Sequence, residues 1–100
     1  MFSFGEYIWI DDVRPAPEGF HWCKTYEEAI KVIDCYASDE YGIYMISFDH
    51  DLGEEKSGYD VAKYIVENHI PVQLYRVHSM NPVGVHNITH LLNHYGYKKI

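Results

Sequence analysis

Short apolar runs alternate with amphipathic stretches along most of this chain, a pattern that predicts strands and helices in turn. A short, continuous apolar run is typical of a buried strand, whereas apolar residues at i, i+3, i+4 and i+7 indicate a helix that faces the core. The predicted strands are Tyr7–Ile10, Phe20–Lys24, Ile43–Phe48 and Val72–Val77, with Tyr97–Ile100 as a candidate short last strand. The predicted helices lie over 26–37, after Ser57 and after Asn81.

Each predicted helix begins with a capping signal. Thr25 and Glu28 have the spacing of a capping box, in which each side chain accepts a hydrogen bond from the other residue's backbone. Ser57 has the form of an N-cap, with Asp60 three residues later. The pair Asn81-Pro82 places an N-cap residue before a proline at the first helical position.

The order of these elements predicts an α/β fold with a mainly parallel sheet, because strands that alternate with helices of this length form right-handed crossovers. The connection between the first two strands is the exception. It contains Val13–Gly19, whose two prolines and glycine predict a loop rather than a helix. Seven extended residues span about 23 Å, enough for a parallel crossover. A simple hairpin is equally compatible with the sequence.

Composition and charge narrow the class of protein. One hundred residues, 47% of them hydrophobic, predict a single domain over 1–100 that can bury a core. The net charge of −7 argues against bulk binding to nucleic-acid backbones. Cys23 and Cys35 are too few for a disulfide framework, so we expect reduced, partly buried thiols. Without a signal peptide in Met1–Tyr7 or an apolar run of about 18 residues, we expect a cytoplasmic protein with no membrane contact.

Polar clusters follow three of the predicted strands: Asp11-Asp12, Asp49-His50-Asp51 and His78-Ser79. The carboxyl ends of parallel strands meet at one edge of a sheet, where the ligands of open α/β sheets bind. We therefore expect four carboxylates and two imidazoles to lie close together. Clustered carboxylates repel one another unless a cation neutralises them, and oxygen ligands suit Mg²⁺. The sequence predicts a metal-dependent phosphate site at this edge.

Within this site the predicted metal ligands are the Asp11-Asp12 pair and Asp49, because both directly follow apolar strands. His50 and His78 are the candidate general acid and base, since histidine exchanges protons near neutral pH. Each of them could instead be an ordinary surface or core residue. We expect only one of Asp49 and Asp51 to face the site. Asp51 is a second candidate catalytic carboxylate, and a loop-organising Asx turn is its alternative.

Three further residues are candidates for phosphate binding. Ser79 and Asn81 lie just before a predicted helix whose N-terminal amides could hold an anion. For Asn81, a plain helix cap is the alternative. Arg14 could hold phosphate oxygens through a bidentate contact, or it could form a surface salt bridge instead.

Four ordered motifs resemble a known family. They are Asp-Asp-Val-Arg-Pro at 11–15, Asp-His-Asp-Leu-Gly at 49–53, Ser-Gly-Tyr-Asp-Val-Ala at 57–62 and His-Ser-Met-Asn-Pro-Val-Gly at 78–84. Together, from about Tyr7 to Leu92, they look like the cyclic-phosphate processing receiver-like family, which has the response-regulator receiver superfold. The resemblance implies a flavodoxin/receiver-like three-layer sandwich with a sheet of four to five strands. In it, the Pro-rich loop replaces the first crossover helix.

In receiver domains the acidic pair and the third-strand aspartate hold Mg²⁺, and that aspartate accepts a phosphoryl group. The resemblance implies these roles for Asp11, Asp12 and Asp49, with His78 or Ser79 in the hydroxyl position. The family's proposed activity implies a phosphoesterase that uses Mg²⁺ or Mn²⁺. Its substrate would be the 2′,3′-cyclic phosphate of a small nucleotide or an RNA end. The alternative is a non-catalytic receiver-like signalling or interaction module with Asp49 as phospho-acceptor.

The sequence departs from an ordinary receiver in ways that favour hydrolysis over phosphorelay signalling. His50 and Asp51 add acid and base groups beside the predicted phospho-acceptor. The lysine that receivers carry on the fifth strand has only a weak counterpart in Lys98 or Lys99. A third interpretation, an acidic inhibitor that acts by charge mimicry, rests on the net charge of −7 alone.

His86, His90 and His94 recur every four residues of the last predicted helix and therefore share one face. That face lies opposite Ile88 and Leu92, so we expect it to be exposed to solvent. Such a stripe can bind Zn²⁺ or Ni²⁺, but a solvated helix face is the simpler interpretation.

Overall fold

A computed structural model of the protein describes residues 5–100. The first four predicted strands and the three predicted helices are present, with only small shifts at the strand ends. The strands are β1 (Glu6–Ile10), β2 (Phe20–Cys23), β3 (Ile43–Phe48) and β4 (Val72–Val77). The helices are α1 (Tyr26–Ala37), α2 (Gly58–Glu67) and α3 (Pro82–His94).

The four strands form one parallel sheet in the order β2-β1-β3-β4, which confirms the predicted receiver-like α/β class. Because β1 pairs with β2 in parallel, the hairpin alternative is wrong and the Pro-rich loop makes the crossover without a helix. The candidate fifth strand is reduced to a single parallel bridge between Tyr75 and Lys99.

The hydrophobic core lies between one face of the sheet and all three helices. Most of the strand residues that point into it occupy alternate positions, because successive side chains of a strand point to opposite faces. The strands contribute Ile8, Ile10, Cys23, Ile43, Ile46, Phe48 and Tyr75, and the helices contribute Ala29, Ile33, Val61, Ala62, Ile65, Ile88 and Leu92. Full burial of one such large side chain stabilises the fold by roughly 1.5–3 kcal/mol. This face therefore provides most of the stability.

The opposite face of the sheet carries no helix within residues 5–100 and is covered in part by the Pro-rich loop. Tyr7, Trp9 and Phe20 pack there edge to face, with ring centroids 5.1 Å (Tyr7–Phe20) and 5.9 Å (Trp9–Phe20) apart. The indole N–H of Trp9 donates to the Arg14 carbonyl at 2.9 Å, which fixes the loop beside this aromatic group. The predicted replacement of the first crossover helix by a loop is confirmed. Within residues 5–100 the fold therefore has one helix layer on the sheet, where the predicted three-layer sandwich has two.

The capping signals are confirmed with one difference. Ser57 and Asp60 form a full capping box. Thr25 accepts a hydrogen bond from the Glu28 N–H at 3.1 Å, but the Glu28 carboxylate accepts from the Lys24 N–H at 2.7 Å rather than from the Thr25 N–H. The second bond of this box therefore forms one residue before the cap.

The structure shows how far the two cysteine thiols are buried. Both cysteines are free, but Cys35 is exposed, so the expectation of two partly buried thiols is wrong. Cys23 is buried, and burial raises the pKa of its thiol to about 11.

None of the helices within residues 5–100 has the length and apolar character that a bilayer crossing requires. The signal-peptide expectation falls partly on residues 1–4, which lie outside the described residues.

Candidate functional site

Backbone hydrogen bonds continue beyond the ends of the strands and bring three polar segments together at the predicted edge of the sheet. The amides of Asp11, Asp49 and His78 each donate to a carbonyl at the end of the neighbouring strand, at 3.0, 2.8 and 2.9 Å respectively. These bonds fix where the three side chains leave the sheet. The predicted convergence of the three segments is therefore present.

Asp11, Asp12 and Asp49 form the cluster predicted to hold a metal ion. Each offers one carboxylate oxygen, and these oxygens lie within 4.8 Å of one another. Oxygens that share one Mg²⁺, each about 2.1 Å from it, are at most about 4.2 Å apart, so small side-chain rotations would close the set. Carboxylates are hard donors that suit Mg²⁺ or Mn²⁺ better than softer metals. The donor set fits such an ion.

Asp11 is fixed through both of its carboxylate oxygens. Oδ1 accepts the backbone N–H groups of Val13 and Arg14, both at 2.8 Å. Oδ2 lies 2.9 Å from Nε2 of His78. Burial raises the pKa of Asp11, but the hydrogen bonds from these three residues outweigh it and hold the pKa below its ordinary value. Asp11 is therefore ionised at neutral pH although its side chain is buried.

His78 connects Asp11 to the sheet. Its Nδ1 lies 2.7 Å from Oγ of Ser47, and its ring stacks on Trp9 with centroids 3.9 Å apart and planes 6° apart. Only 6% of the His78 side chain is exposed. Burial lowers its pKa, and the opposing effect of Asp11 does not compensate. A neutral ring that donates from Nε2 to Asp11 and accepts the Ser47 hydroxyl at Nδ1 satisfies every contact.

Close backbone approach positions the other two carboxylates. A Cβ added at Gly53 would lie 2.8 Å from Oδ2 of Asp12, and the φ of +67° at Gly53 is one that L residues rarely adopt. A Cβ added at Gly58 would clash with the Asp49 carbonyl oxygen. The Gly58 N–H also donates to the His50 carbonyl at 2.7 Å. The first turn of α2 is therefore packed directly on the backbone that carries Asp49.

A pocket of about 400 Å³ lies beside the carboxylates. Its lining residues are Arg14, Asp49, Asp51, Ser79, Met80 and Asn81. The expectation that only one of Asp49 and Asp51 faces the site is wrong, because both residues line this pocket. The chain bends at His50 between them, so strand alternation does not apply to this segment. Nη1 of Arg14 donates to the His78 carbonyl at 3.0 Å, and the guanidinium has further N–H groups to offer an anion.

His50 lies next to this pocket but does not line it. Its Nδ1 is 3.1 Å from Oδ1 of Asp51, and its ring packs so closely on Gly84 of α3 that an added Cβ there would clash with it. Oδ2 of Asp51 accepts from Nδ2 of Asn81 at 3.2 Å. The hydrogen bonds with His50 and Asn81 lower the pKa of Asp51. Asp51 is therefore an ionised hydrogen-bond acceptor at neutral pH.

The first amides of α3 are already hydrogen-bonded, so of the two possibilities for Asn81 the structure shows the helix cap. Oδ1 of Asn81 accepts the N–H groups of Val83 and Gly84, both at 3.1 Å, so Asn81 is the helix cap. The Asn81 N–H in turn donates to Oγ of Ser79 at 3.0 Å. Asn81 thus reaches the site through its contact with Asp51, whereas Ser79 lines the pocket directly.

Residues 6–94 match the family described as Cyclic-phosphate processing Receiver domain. The chain belongs to this family. The match covers every predicted site residue of this receiver domain, and it confirms the resemblance carried by the four motifs. The family's name connects the domain with the processing of cyclic phosphates. Comparison with curated proteins and with solved structures finds no match.

Sequence reasoning assigned no site role to four residues that contact the predicted site residues of this receiver domain. They are Trp9, Ser47, Gly58 and Gly84. Ser47 carried a usable signal. It is a polar residue in the apolar run of β3 and is fully buried, and a buried hydroxyl needs a hydrogen-bond partner. The two glycines lie in the first turns of α2 and α3, and neither has the positive φ that favours glycine. That placement points to a close packing contact.

The free energy of unfolding of the metal-free receiver domain is expected to fall as the pH drops below about 6.5. Since burial lowers the pKa of His78 in the folded state, the unfolded chain takes up this proton first. Stability is therefore lost between the ordinary histidine pKa and the lower folded value, by at most about 1.4 kcal/mol per pH unit. Asp11, whose pKa is also lowered, contributes only below its ordinary value of 3.8.

Urea unfolding in EDTA between about pH 7.5 and pH 5.5 measures how the free energy of unfolding depends on pH. His78→Gln removes the titrating group, so its stability should vary less steeply with pH than that of the wild-type protein. Equal slopes for the two proteins would contradict a neutral, buried His78.

Proposed function

We propose that this receiver domain is a metal-dependent phosphoesterase that opens 2′,3′-cyclic phosphates on nucleotides or RNA ends. The observation that carries the proposal is the position of the carboxylate cluster directly beside a pocket that Arg14, Ser79 and Asp51 also line. A phospho-acceptor needs one reactive aspartate. A hydrolase also needs a cation for the phosphate and a proton acceptor next to it, and Arg14 and Asp51 supply these groups.

Asp11, Asp12 and Asp49 would hold Mg²⁺ or Mn²⁺. When bound, such an ion neutralises phosphate charge and lowers the pKa of a water molecule. The chain contributes a pre-oriented ligand, because three hydrogen bonds prevent Asp11 from rotating away. Rotation of the Asp12 and Asp49 side chains would therefore bring the three oxygens to the distances that one ion requires.

Arg14 and Ser79 would bind the non-bridging phosphate oxygens. The contact of Arg14 with the His78 carbonyl holds its guanidinium at the edge of the pocket, where the remaining N–H groups can pair with two oxygens. The positive charge of Arg14 is important for substrate binding because the chain carries a net charge of −7. An anionic substrate needs local positive charge to approach such a surface.

Ring opening requires one bond to phosphorus to form and another to break. The oxygen of an attacking water forms the new bond, and its proton passes to Asp51. The bond from phosphorus to one ribose oxygen breaks, and that oxygen takes a proton from solvent in the open pocket, which leaves a phosphate monoester. His50 and Asn81 keep Asp51 ionised and oriented for this step.

The two histidines act in this proposal as positioning residues, each for one carboxylate. His78 orients Asp11, and His50 orients Asp51. Outer contacts of this kind fix the ligands of many metal sites and influence activity strongly. The direct acid–base roles predicted for His50 and His78 stay predictions.

The proposal is tested by incubating the protein with 2′,3′-cyclic nucleotides and with an RNA oligomer that has this end, in Mg²⁺, Mn²⁺ or EDTA. Formation of the phosphate monoester that depends on the metal is the expected result. No ring opening under any condition would contradict the proposal. A stable, metal-dependent phosphoryl group on Asp49 after incubation with acetyl phosphate, without ring opening, would favour the signalling alternative.

Gly84→Ala is expected to impair catalysis more than folding. The added methyl group would displace the His50 ring and disturb its contact with Asp51. A shift of about 1 Å in the position of a catalytic group such as Asp51 can lower the rate roughly 100-fold. Alanine is favoured over glycine in a helix by up to about 1 kcal/mol, which offsets part of the packing cost. Overpacking costs about 1–3 kcal/mol, so the melting temperature should fall modestly, whereas the Mg²⁺ affinity should change little.

Steady-state kinetics and thermal melting of Gly84→Ala, beside the control Asn87→Ala on the exposed face of the same helix, measure the two effects. An unchanged kcat in Gly84→Ala would contradict the positioning role of His50.

A further inference from the structure

We propose that His86, His90 and His94 form a binding site for one transition-metal dication such as Zn²⁺ or Ni²⁺. This histidine stripe on α3 shares no residue with the carboxylate cluster. It is independent of the proposed phosphoesterase activity.

The three side chains share one exposed face of α3. Their spacing of four residues places neighbouring Cβ atoms about 5–6 Å apart, and all three residues are exposed. The rings of His86 and His90 have centroids 5.9 Å apart and planes 17° apart. For His90 and His94 the values are 6.4 Å and 21°. Two histidines four residues apart on a helix are an established pair of Zn²⁺ ligands.

The ring nitrogens of the stripe are available to a metal. None of the three rings makes a hydrogen bond or an ion pair with any of the residues from Gly5 to Ile100. All three line one open cavity of about 640 Å³ on the surface of α3. Zn–N bonds of about 2.0–2.1 Å place two nitrogens roughly 3.3 Å apart in a tetrahedral site. His94 also packs edge to face on Tyr95, with ring centroids 4.9 Å apart. Rotation of these exposed side chains can bring two neighbouring rings to the distance that a shared Zn²⁺ requires.

The donor atoms of the two sites select different metals. Imidazole nitrogen suits Zn²⁺, Ni²⁺ and Cu²⁺, whereas carboxylate oxygen suits Mg²⁺ and Mn²⁺. Excess Mg²⁺ can therefore occupy the carboxylate cluster while leaving the stripe free. Binding of Zn²⁺ or Ni²⁺ in the presence of excess Mg²⁺ therefore measures binding to the histidine stripe.

The spacing of the three histidines also predicts how many metal ions the stripe binds. His86 and His94 are eight residues apart, or about 12 Å along the helix axis, which is too far for both to bind one ion. The stripe therefore contains two overlapping pairs, His86–His90 and His90–His94, and His90 belongs to both. One ion binds at a time, in either pair.

Calorimetric titration with Zn²⁺ or Ni²⁺ in excess Mg²⁺ tests the site. We expect one ion per chain. His90→Ala should weaken binding at least about 100-fold, because the chelating partner is lost from both pairs. His86→Ala and His94→Ala should each weaken it only about twofold, since one pair remains. The control His69→Asn, an exposed histidine outside the stripe whose φ of 53° asparagine tolerates, should bind like the wild-type protein.

Three results would overturn the proposal: unchanged binding in His90→Ala, loss of binding in both single variants at the ends of the stripe, or one ion shared by two chains. Asp49→Asn distinguishes this site from the carboxylate cluster. That variant should retain Zn²⁺ or Ni²⁺ binding in full, whether or not the proposed phosphoesterase activity exists, and loss of binding would count against the stripe.

Discussion

Asp49→Asn is expected to lower kcat/KM for ring opening of 2′,3′-cyclic nucleotides by at least about 100-fold, since even the outer contacts of a metal site are worth about 10- to 100-fold. Asp49 both offers an oxygen to the carboxylate cluster and lines the pocket beside it. Asparagine has nearly the same shape but no charge, so it would weaken metal binding and leave the packing of β3 intact. Initial rates at a Mg²⁺ concentration that just saturates the wild-type protein measure the effect.

The matched control is Asp39→Asn, the same change on an exposed carboxylate between α1 and β3, at the opposite end of the sheet. This variant should retain the wild-type rate. Full activity of Asp49→Asn, or an equal loss in both variants, would contradict the assignment of Asp49.

Gly58→Ala is expected to lower the free energy of unfolding by about 3 kcal/mol, at the upper end of the range for overpacked sites. The added Cβ would meet the carbonyl carbon and oxygen of Asp49, and backbone atoms cannot rotate away as a side chain can. Movement of α2 would relieve the clash, but it would stretch the hydrogen bond from the Gly58 N–H to the His50 carbonyl. Helix propensity alone predicts the opposite sign, a gain of up to about 1 kcal/mol.

Urea unfolding of Gly58→Ala and of the control Glu67→Ala, an exposed position in the last turn of α2, measures this cost. The control should stay within about 0.5 kcal/mol of the wild-type protein. A Gly58→Ala variant that is as stable as the wild-type protein would show that α2 does not pack on the Asp49 backbone as described.

The strands, the helices and the convergence of Asp11, Asp12 and Asp49 could be predicted because each depends on local pattern. Apolar runs and caps determine the elements, and a parallel sheet brings the carboxyl ends of neighbouring strands to one edge. The crossover between β1 and β2 could not be predicted, because a Pro-rich loop of that length suits a hairpin as well.

The contacts of the histidines depend on side-chain orientation and on distant parts of the chain. His78 contacts Ser47 and Asp11, which are 31 and 67 residues away in sequence, and no periodicity encodes such pairs. The same dependence on side-chain orientation explains why the sequence left two possibilities open for Asn81 and the α3 amides. An asparagine before a proline can cap a helix or leave its amides to an anion, and the sequence is identical in both cases.

Thermal melting with and without Mg²⁺ or Mn²⁺, in the wild-type protein and in Asp12→Asn, tests the shared metal site most directly. An ion that binds only the folded protein adds about 2.7 kcal/mol at ~100 times its Kd, which raises the melting temperature of a domain of this size by on the order of 10 °C. Asp12→Asn should melt higher than the wild-type protein without metal, because it relieves repulsion within the cluster, and should lose most of the metal-induced rise. A wild-type melting curve that millimolar Mg²⁺ and Mn²⁺ leave unmoved would contradict the site.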